Sequence, residues 1–287
     1  MPESAGDRGD AAAYQLEDVT FRYPSASTPT LRGLSLEFGV AAFTAVIGPN
    51  GAGKSTLVRL LGGILEPSEG SVHLDGRPLV SWDRSVLARR TAVVSQDAPP
   101  EALRVSLRGY VELGRNPYVS PWAPLAPRDE EVIGNALAWA GLEHLAHRPL
   151  AELSGGERQR AKLARAIVQE PGILILDEPS AHLDFRHALW IFDALRERVR
   201  DEALTVICIT HDMQLASRYA DRMILLAEGE GMAAGPPGEV LRSPALASTY
   251  GCEVRVESLG DLGHSVLPVR ARRRGVASGA SSPIEAS

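Results

Sequence analysis

Gly48-Pro49-Asn50-Gly51-Ala52-Gly53-Lys54-Ser55 is the stretch from which the rest of the chain can be read. It fits G-x-x-x-x-G-K-[ST], a pattern whose glycines let backbone N–H groups turn inward around phosphates. In such a loop Lys54 supplies a point charge for the β- and γ-phosphates, and the Ser55 hydroxyl can ligate Mg2+. The flanks decide between a phosphate cradle and an ordinary glycine-rich turn. Residues 43–47 are apolar without alternation, as a strand buried on both faces would be. Leu57, Leu60, Leu61 and Ile64 then fall on one helical face. A strand entering and a helix leaving, its positive N-terminal end near Lys54, is the context a phosphate site requires. The expected nucleotide cradle is residues 48–56: Gly48, Pro49, Asn50, Gly51, Ala52, Gly53, Lys54, Ser55 and Thr56.

Outward from the loop, residues 173–176, 206–209 and 223–227 are further apolar runs of the buried-strand type. Phe185, Leu189, Phe192, Leu195 and Val199 form a helical face after the first of them. Strand, helix, strand in repetition argues an α/β layered core. Upstream, Leu16, Val19, Phe21 and Tyr23 alternate with polar residues, although Asp18 and Val19 blur the register. Leu34, Leu36 and Phe38 alternate cleanly, as do Val72 and Leu74 before the Asp75-Gly76 turn; these read as antiparallel strands with one solvated face. Residues 97–169 have another texture, with helical patches at 132–142 and 158–168 and prolines crowded into 117–127, and read as a mostly helical insertion. The polar residues 1–13 and the stretch 259–287, which loses periodicity, are expected to be disordered. There is no internal repeat, so one nucleotide domain is expected at 14–258, its core formed by 14–96 and 170–258.

Two acids, Asp177 and Glu178, end the run at 173–176. Carboxylates at the C-terminal edge of a parallel sheet stand where such folds bind ligands. An acid pair after a strand is usually a helix cap with a solvated neighbour; beside a phosphate loop it reads instead as Asp177 holding Mg2+ and Glu178 acting as general base toward water. Leu153-Ser154-Gly155-Gly156-Glu157 opens a helix, with Ser154 as N-cap and Glu157 closing a capping box. That reading leaves the two glycines unexplained, since they bare backbone N–H groups to a ligand.

Composition bounds the partners. A formal net charge of -6 argues against a protein that grips nucleic-acid phosphates, and the basic cluster 270–274 reads as a solvated tail. Two cysteines, Cys208 and Cys252, have neither metal-ligand spacing nor a disulfide framework, as in a reducing compartment. No apolar run reaches the roughly 18–20 residues that cross a bilayer, and the N-terminus lacks a signal-peptide layout. A membrane role would therefore come through a partner.

With its motifs in this order, the chain resembles the ATP-binding-cassette (ABC) ATPases over residues 14–258. The resemblance implies a P-loop NTPase (RecA-like) α/β core with an N-terminal antiparallel β subdomain and an inserted α-helical subdomain. It implies ATP and Mg2+ as cofactors. Tyr23 matches the aromatic that stacks on adenine, though a core aromatic at a strand end is the plainer reading. Gln96 matches the glutamine that senses the γ-phosphate and Mg2+, His211 the switch histidine, and Asp184 the loop that communicates across a dimer. Ser154, Gly155, Gly156 and Glu157 match the signature motif, which acts in trans. The catalytic set so implied is Glu178, His211, Gln96 and Lys54, with Ser55, Gln96 and Asp177 around Mg2+.

One loop and one signature per chain imply a homodimer. The same resemblance implies two membrane permease subunits, indirectly a substrate-binding protein, no nucleic acid, and a place on the cytoplasmic face of the cell membrane. Softer matches, at 111–118 and 250–256, resemble the importers of iron-siderophore, haem and cobalamin. Against that stand an importer of other cargo, a two-component exporter and a non-transport cytosolic ATPase.

Overall fold

The N-terminal alternating segments pair into an antiparallel sheet. β1 (Ala12–Phe21) lies between β2 (Leu31–Gly39) and β4 (Glu69–Leu74), and the short β5 (Arg77–Pro78) follows β4 at the edge. In this computed structural model, residues 12–95, 104–120, 123–181 and 183–271 are described. The blurred register at Asp18 and Val19 is a β-bulge: Asp18 has φ 48°, and the pairing of β1 with β2 shifts between Leu16 and Val19. Asp75 and Gly76, at φ 48° and 72°, join β4 to β5 by the two-residue hairpin their sequence signals.

The second sheet has six strands in the order β10-β9-β3-β8-β7-β6. β3 (Phe43–Ile47), β6 (Thr91–Val94), β7 (Ile173–Asp177), β8 (Thr205–Ile209) and β9 (Arg222–Ala227) run parallel, and β10 (Glu230–Gly235) is antiparallel to β9. All five residues of β3, β7 and β8 are buried, as their unbroken apolar runs require. Burying one such aliphatic side chain contributes about 1.5–3 kcal/mol. The α/β expectation holds. β10, in which Glu230 is followed only by Gly, Met and Ala with no alternation, left no signal, and its pairing is set by the Glu228-Gly229 turn (φ 51° and 83°).

Among the described residues four larger helices dress this frame: α1 (Lys54–Leu61), α4 (Pro127–Trp139), α5 (Gly155–Val168) and α6 (Phe185–Asp201). The shorter ones are α2 (Arg84–Arg90), α3 (Leu107–Glu112), α7 (Met213–Tyr219), α8 (Pro237–Arg242) and α9 (Pro244–Tyr250). α3, α4 and α5 share one apolar cluster built on Tyr110, Ile133, Leu137 and Ala164, which makes the helical insertion a layer with its own core.

Two face assignments need correction. Ile64 is 66% exposed because α1 stops at Leu61, followed by Gly62 and Gly63. Phe185 is 90% exposed because it is the first residue of α6, overhanging the edge of the core that Phe192, Leu195 and Val199 fill. The C-terminal boundary is also overturned. β11 (Cys252–Ser258) pairs antiparallel with β12 (His264–Ala271), so residues 259–271 belong to an ordered hairpin. Its strands alternate only weakly, since Val254, Val256 and Val266 reach a core while Leu267 and Val269 remain exposed. Arg270, expected in a solvated tail, pairs with Glu253 within that hairpin. Residues 1–11 and 272–287 lie outside the described residues.

Candidate functional site

The loop of residues 48–55 leaves the end of β3 and is wedged against β9 and the start of β2. A Cβ on Gly48 would stand 2.1 Å from the Leu226 carbonyl oxygen at the end of β9. At Gly53, with φ 97°, a Cβ would meet Leu31 Cδ2 at 2.6 Å and the Thr30 oxygen at 3.0 Å. Both positions therefore require glycine for close approach, and Gly53 also for its left-handed backbone. The Gly229 N–H donates to the Ala52 oxygen at 3.2 Å, tying the β9–β10 turn to the loop. α1 starts at Lys54 with no side-chain cap, so its first N–H groups remain available to a ligand.

Lys54 is 7% exposed and folds back, its Nζ donating to the oxygens of Gly48 at 2.8 Å and Pro49 at 2.9 Å. Burial holds its pKa below the ordinary lysine value, with Glu178 and Asp177 opposing that shift. An anion offering better acceptors than two carbonyls would draw this ammonium outward. Tyr23 lies beside the loop, its hydroxyl 3.2 Å from Thr56 Oγ1 and accepting from Arg59 Nη1 at 3.3 Å. Its ring meets Phe21 edge-on at 4.9 Å, so the residue serves the core and borders the cradle at once.

Asp177 ends β7 and is 8% exposed. Its carboxyl pKa is raised, by burial first; the Ser55 hydrogen bond opposes, Glu178 adds, and Lys54 opposes. A buried carboxylate next to a serine hydroxyl at a phosphate loop is a hard-oxygen donor set that suits Mg2+. Glu178 has φ 54°, a left-handed backbone that costs about 1–3 kcal/mol in a non-glycine residue and clusters at functional sites. Its N–H donates to the Ile209 oxygen at 2.9 Å, which fixes the turn against β8. His211, two residues beyond β8, then has its Nδ1 3.4 Å from Glu178 Oε2. The chain thus brings together Lys54, Ser55, Asp177, Glu178 and His211 from three parallel strand ends. Phosphate binding, divalent-ion ligation and proton abstraction are all within reach of that set.

Ser154 and Glu157 are placed elsewhere. Ser154 caps α5; the Glu157 N–H donates to its Oγ at 3.3 Å, and Glu157 Oε2 accepts from Ser154 N at 2.7 Å and Oγ at 2.8 Å. Those backbone and side-chain hydrogen bonds hold the Glu157 carboxyl below the usual range. A Cβ on Gly155 would meet nothing within 4 Å, and one on Gly156 only Leu183 Cδ2 at 3.5 Å. Packing does not require glycine at either position. None of these side-chain hydrogen bonds reaches residues 48–56. Asp184 caps α6, its Oδ1 accepting from His187 N at 2.9 Å, with His187 Nδ1 at 2.8 Å. Gln96 lies outside the described residues.

Two further features went unnoticed in the sequence. A cavity of about 590 Å3 is lined by Glu178, His211, Leu183 and the exposed Phe185, with Leu259 and Leu262 of the C-terminal hairpin on its rim. Arg115, 3% exposed, anchors the helical layer through Asp129, Val168 and Glu170. It closes the single turn Leu113–Arg115 ahead of the prolines, and no local pattern marks a basic residue there as buried.

Comparison with known proteins agrees with this geometry. The profile of the family described as "ABC transporter" matches residues 31–181. The hemin import ATP-binding protein HmuV of Pseudomonas aeruginosa is 42% identical over 245 residues, covering 84% of this chain and 94% of that one. A dimeric ATP-binding cassette in a post-hydrolysis state, bound to ADP and Pi, superposes with a TM-score of 0.70 at 27% identity, covering 78% of this chain and 98% of that one. A candidate metal-chelate type ABC transporter in an inward-facing conformation gives 0.75 at 26% identity, covering 90% and 98%. Among the described residues no helix is long and apolar enough to cross a membrane. The chain belongs to the ABC transporter family, as an ATP-binding and ATP-hydrolysing domain.

Proposed function

We propose that this chain energises import of a metal chelate, with haem as cargo, from the cytoplasmic face of a membrane. It would work there as a homodimer on two permease subunits fed by a substrate-binding protein. The hydrolytic half of that reading rests on Glu178 and His211 meeting at 3.4 Å beside the buried Asp177. The cargo rests on 42% identity to a hemin import ATP-binding protein across nearly its full length.

In this reading the inward-turned amides of residues 48–56 and the α1 N-terminus bind the phosphates of ATP, and Tyr23 borders the base. Lys54 exchanges its two carbonyl acceptors for β- and γ-phosphate oxygens. Ser55, Asp177 and Gln96 would hold Mg2+, which neutralises charge on the phosphates when bound. Glu178 takes a proton from the attacking water. His211 orients Glu178 and contacts the γ-phosphate. Ser154, Gly155 and Gly156 of a second copy close the cradle with free amides at an α5 N-terminus, and Asp184 carries the contact between copies. ATP then favours the closed dimer, and hydrolysis removes that preference.

Glu178→Gln is expected to slow ATP turnover by roughly 10^2- to 10^4-fold while ATP still binds. Turnover at the wild-type rate would remove Glu178 from the role of base. For cargo, a deletion strain should lose uptake of labelled haem and keep that of siderophore and cobalamin. Loss of either of the latter with haem uptake intact would reassign the substrate.

A further inference from the structure

The C-terminal hairpin has no role in the mechanism above, and it lies beyond the residues, 31–181, that match the family profile. It is nevertheless built against both halves of the site. Gly263, in the turn between β11 and β12 with φ 82°, presses on α7: a Cβ there would stand 2.8 Å from the Cα and N of Arg218 and from Ser217 Oγ. Such an approach of turn to helix backbone admits no side chain. Ser217 is 7% exposed, and its Oγ accepts from His264 N at 2.9 Å. The same hydroxyl lies 3.0 Å from the Gln214 oxygen and 3.2 Å from the His264 oxygen, so it donates to one of them. The hairpin is therefore fastened to α7 by a buried polar contact as well as by fit.

α7 in turn sets the place of His211. Asp212 caps it, accepting from Gln214 N at 3.0 Å and Leu215 N at 2.9 Å, while its own N–H donates to Thr210 Oγ1 at 3.0 Å. No flexible residue separates the helix from the histidine. On its other side the hairpin shares an apolar cluster with β3, the strand that feeds the phosphate loop. Val254, Val256, Val266 and Tyr250 pack into the cluster that holds Ala45 and Ile47, the latter immediately before Gly48. The Tyr250 hydroxyl is buried, which pushes its pKa up to about 12, and the backbone of Gly48 opposes that shift.

We propose that the hairpin is a positioning clamp: Gly263 and Ser217 lock it onto α7, so that His211 is held in register with the phosphate loop for hydrolysis. This rests on the reading of Glu178 and His211 as hydrolytic residues. Gly263 and Ser217 touch no reacting atom and act through the helix.

The test uses the full chain carrying Gly263→Val or Ser217→Ala, with Val269→Ser on the exposed face of β12 as control. The clamp requires kcat to fall about tenfold, a modest share of what displacing a catalytic group causes, while KM for ATP changes less than about twofold. Ser217→Thr, which keeps the hydroxyl, should recover most of the lost kcat. Amide exchange over residues 211–219 should quicken in Gly263→Val, with the ATP-bound loop still protected. Unchanged kcat, unchanged exchange, or kcat and ATP binding lost together would each overturn the clamp, the last because it marks general unfolding. Glu178→Gln run alongside separates the two levels. If it turns over at the wild-type rate, the catalytic reading falls and the clamp with it; if it is slow while the hairpin variants are not, only the clamp falls.

Discussion

Asp177 holds a carboxylate where water scarcely reaches it, and burial is the main reason its pKa is raised. Between the ordinary carboxylate value and the raised one, the folded chain binds more protons than the unfolded chain. Stability from this group therefore falls as pH rises through that window, and the penalty is present in full above it. Asp177→Asn keeps an acceptor for Ser55 and removes the charge. Above that window it is expected to raise the Tm of the nucleotide-free protein; each 1 kcal/mol so released corresponds to about 2–4 °C in a domain of this size. It should abolish Mg2+-dependent ATPase activity. A lower Tm in calorimetry would contradict the assignment of burial as the dominant cause. The residue types of the site were legible because phosphate chemistry constrains them tightly: small residues where backbone must approach, one cation, acids at a strand end. Ile64 and Phe185 misled because periodicity marks a helical face without marking where the core beneath it ends.

At the scale of elements, the buried Arg115 decides how the helical layer meets the sheet. Its Nε donates to Asp129 Oδ1 at 2.8 Å, and its Nη1 to the Val168 oxygen at 2.8 Å and Glu170 Oε2 at 2.7 Å. The guanidinium also lies 4.1 Å from the Tyr118 ring centroid. One side chain thus joins the start of α4, the end of α5 and the residue leading into β7. Arg115→Ala leaves Asp129 buried without its partner, a loss of about 3–5 kcal/mol. A reduced denaturation midpoint with the m-value unchanged would show this. Arg115→Lys should recover little, since a point charge cannot serve three acceptors in a planar fork. Near-wild-type stability in either variant would mean that Tyr118 and α4 hold the layer without the ion pairs. The helices around Arg115 were visible as helical patches, but their docking was not, because three acceptors from distant segments converge only after the chain has folded.

For the whole molecule, the side chains of Ser154 and Glu157 bond to each other and not to the loop of residues 48–55. Ser154 spends its own hydrogen bonds on the cap of α5, and no packing occupies the side-chain position of Gly155. A second copy is the occupant that the homodimer reading supplies. In a Glu178→Gln background, adding Ser154→Arg should remove the ATP-dependent doubling of mass seen by light scattering. ATP affinity of the monomer should stay within about threefold, less than one hydrogen bond's worth of binding free energy. The lost cap should lower stability by about 1 kcal/mol. An ATP-dependent dimer that persists, or ATP binding lost altogether, would count against assembly in trans.

By itself the sequence determined the α/β core, the glycine-rich loop after β3, the acid pair ending β7 and the Ser154 cap of α5. Each is a local pattern: a run of buried residues, a backbone that must turn tightly, a side chain that must cap a helix within one turn. Tertiary structure alone decided that Glu178 meets His211, that Arg115 is buried, that Phe185 stands in solvent, and that a hairpin continues to Ala271 and locks onto α7. All four depend on which surfaces lie opposite one another after folding. That opposition is set by the packing of segments far apart in the chain, and no local pattern encodes it.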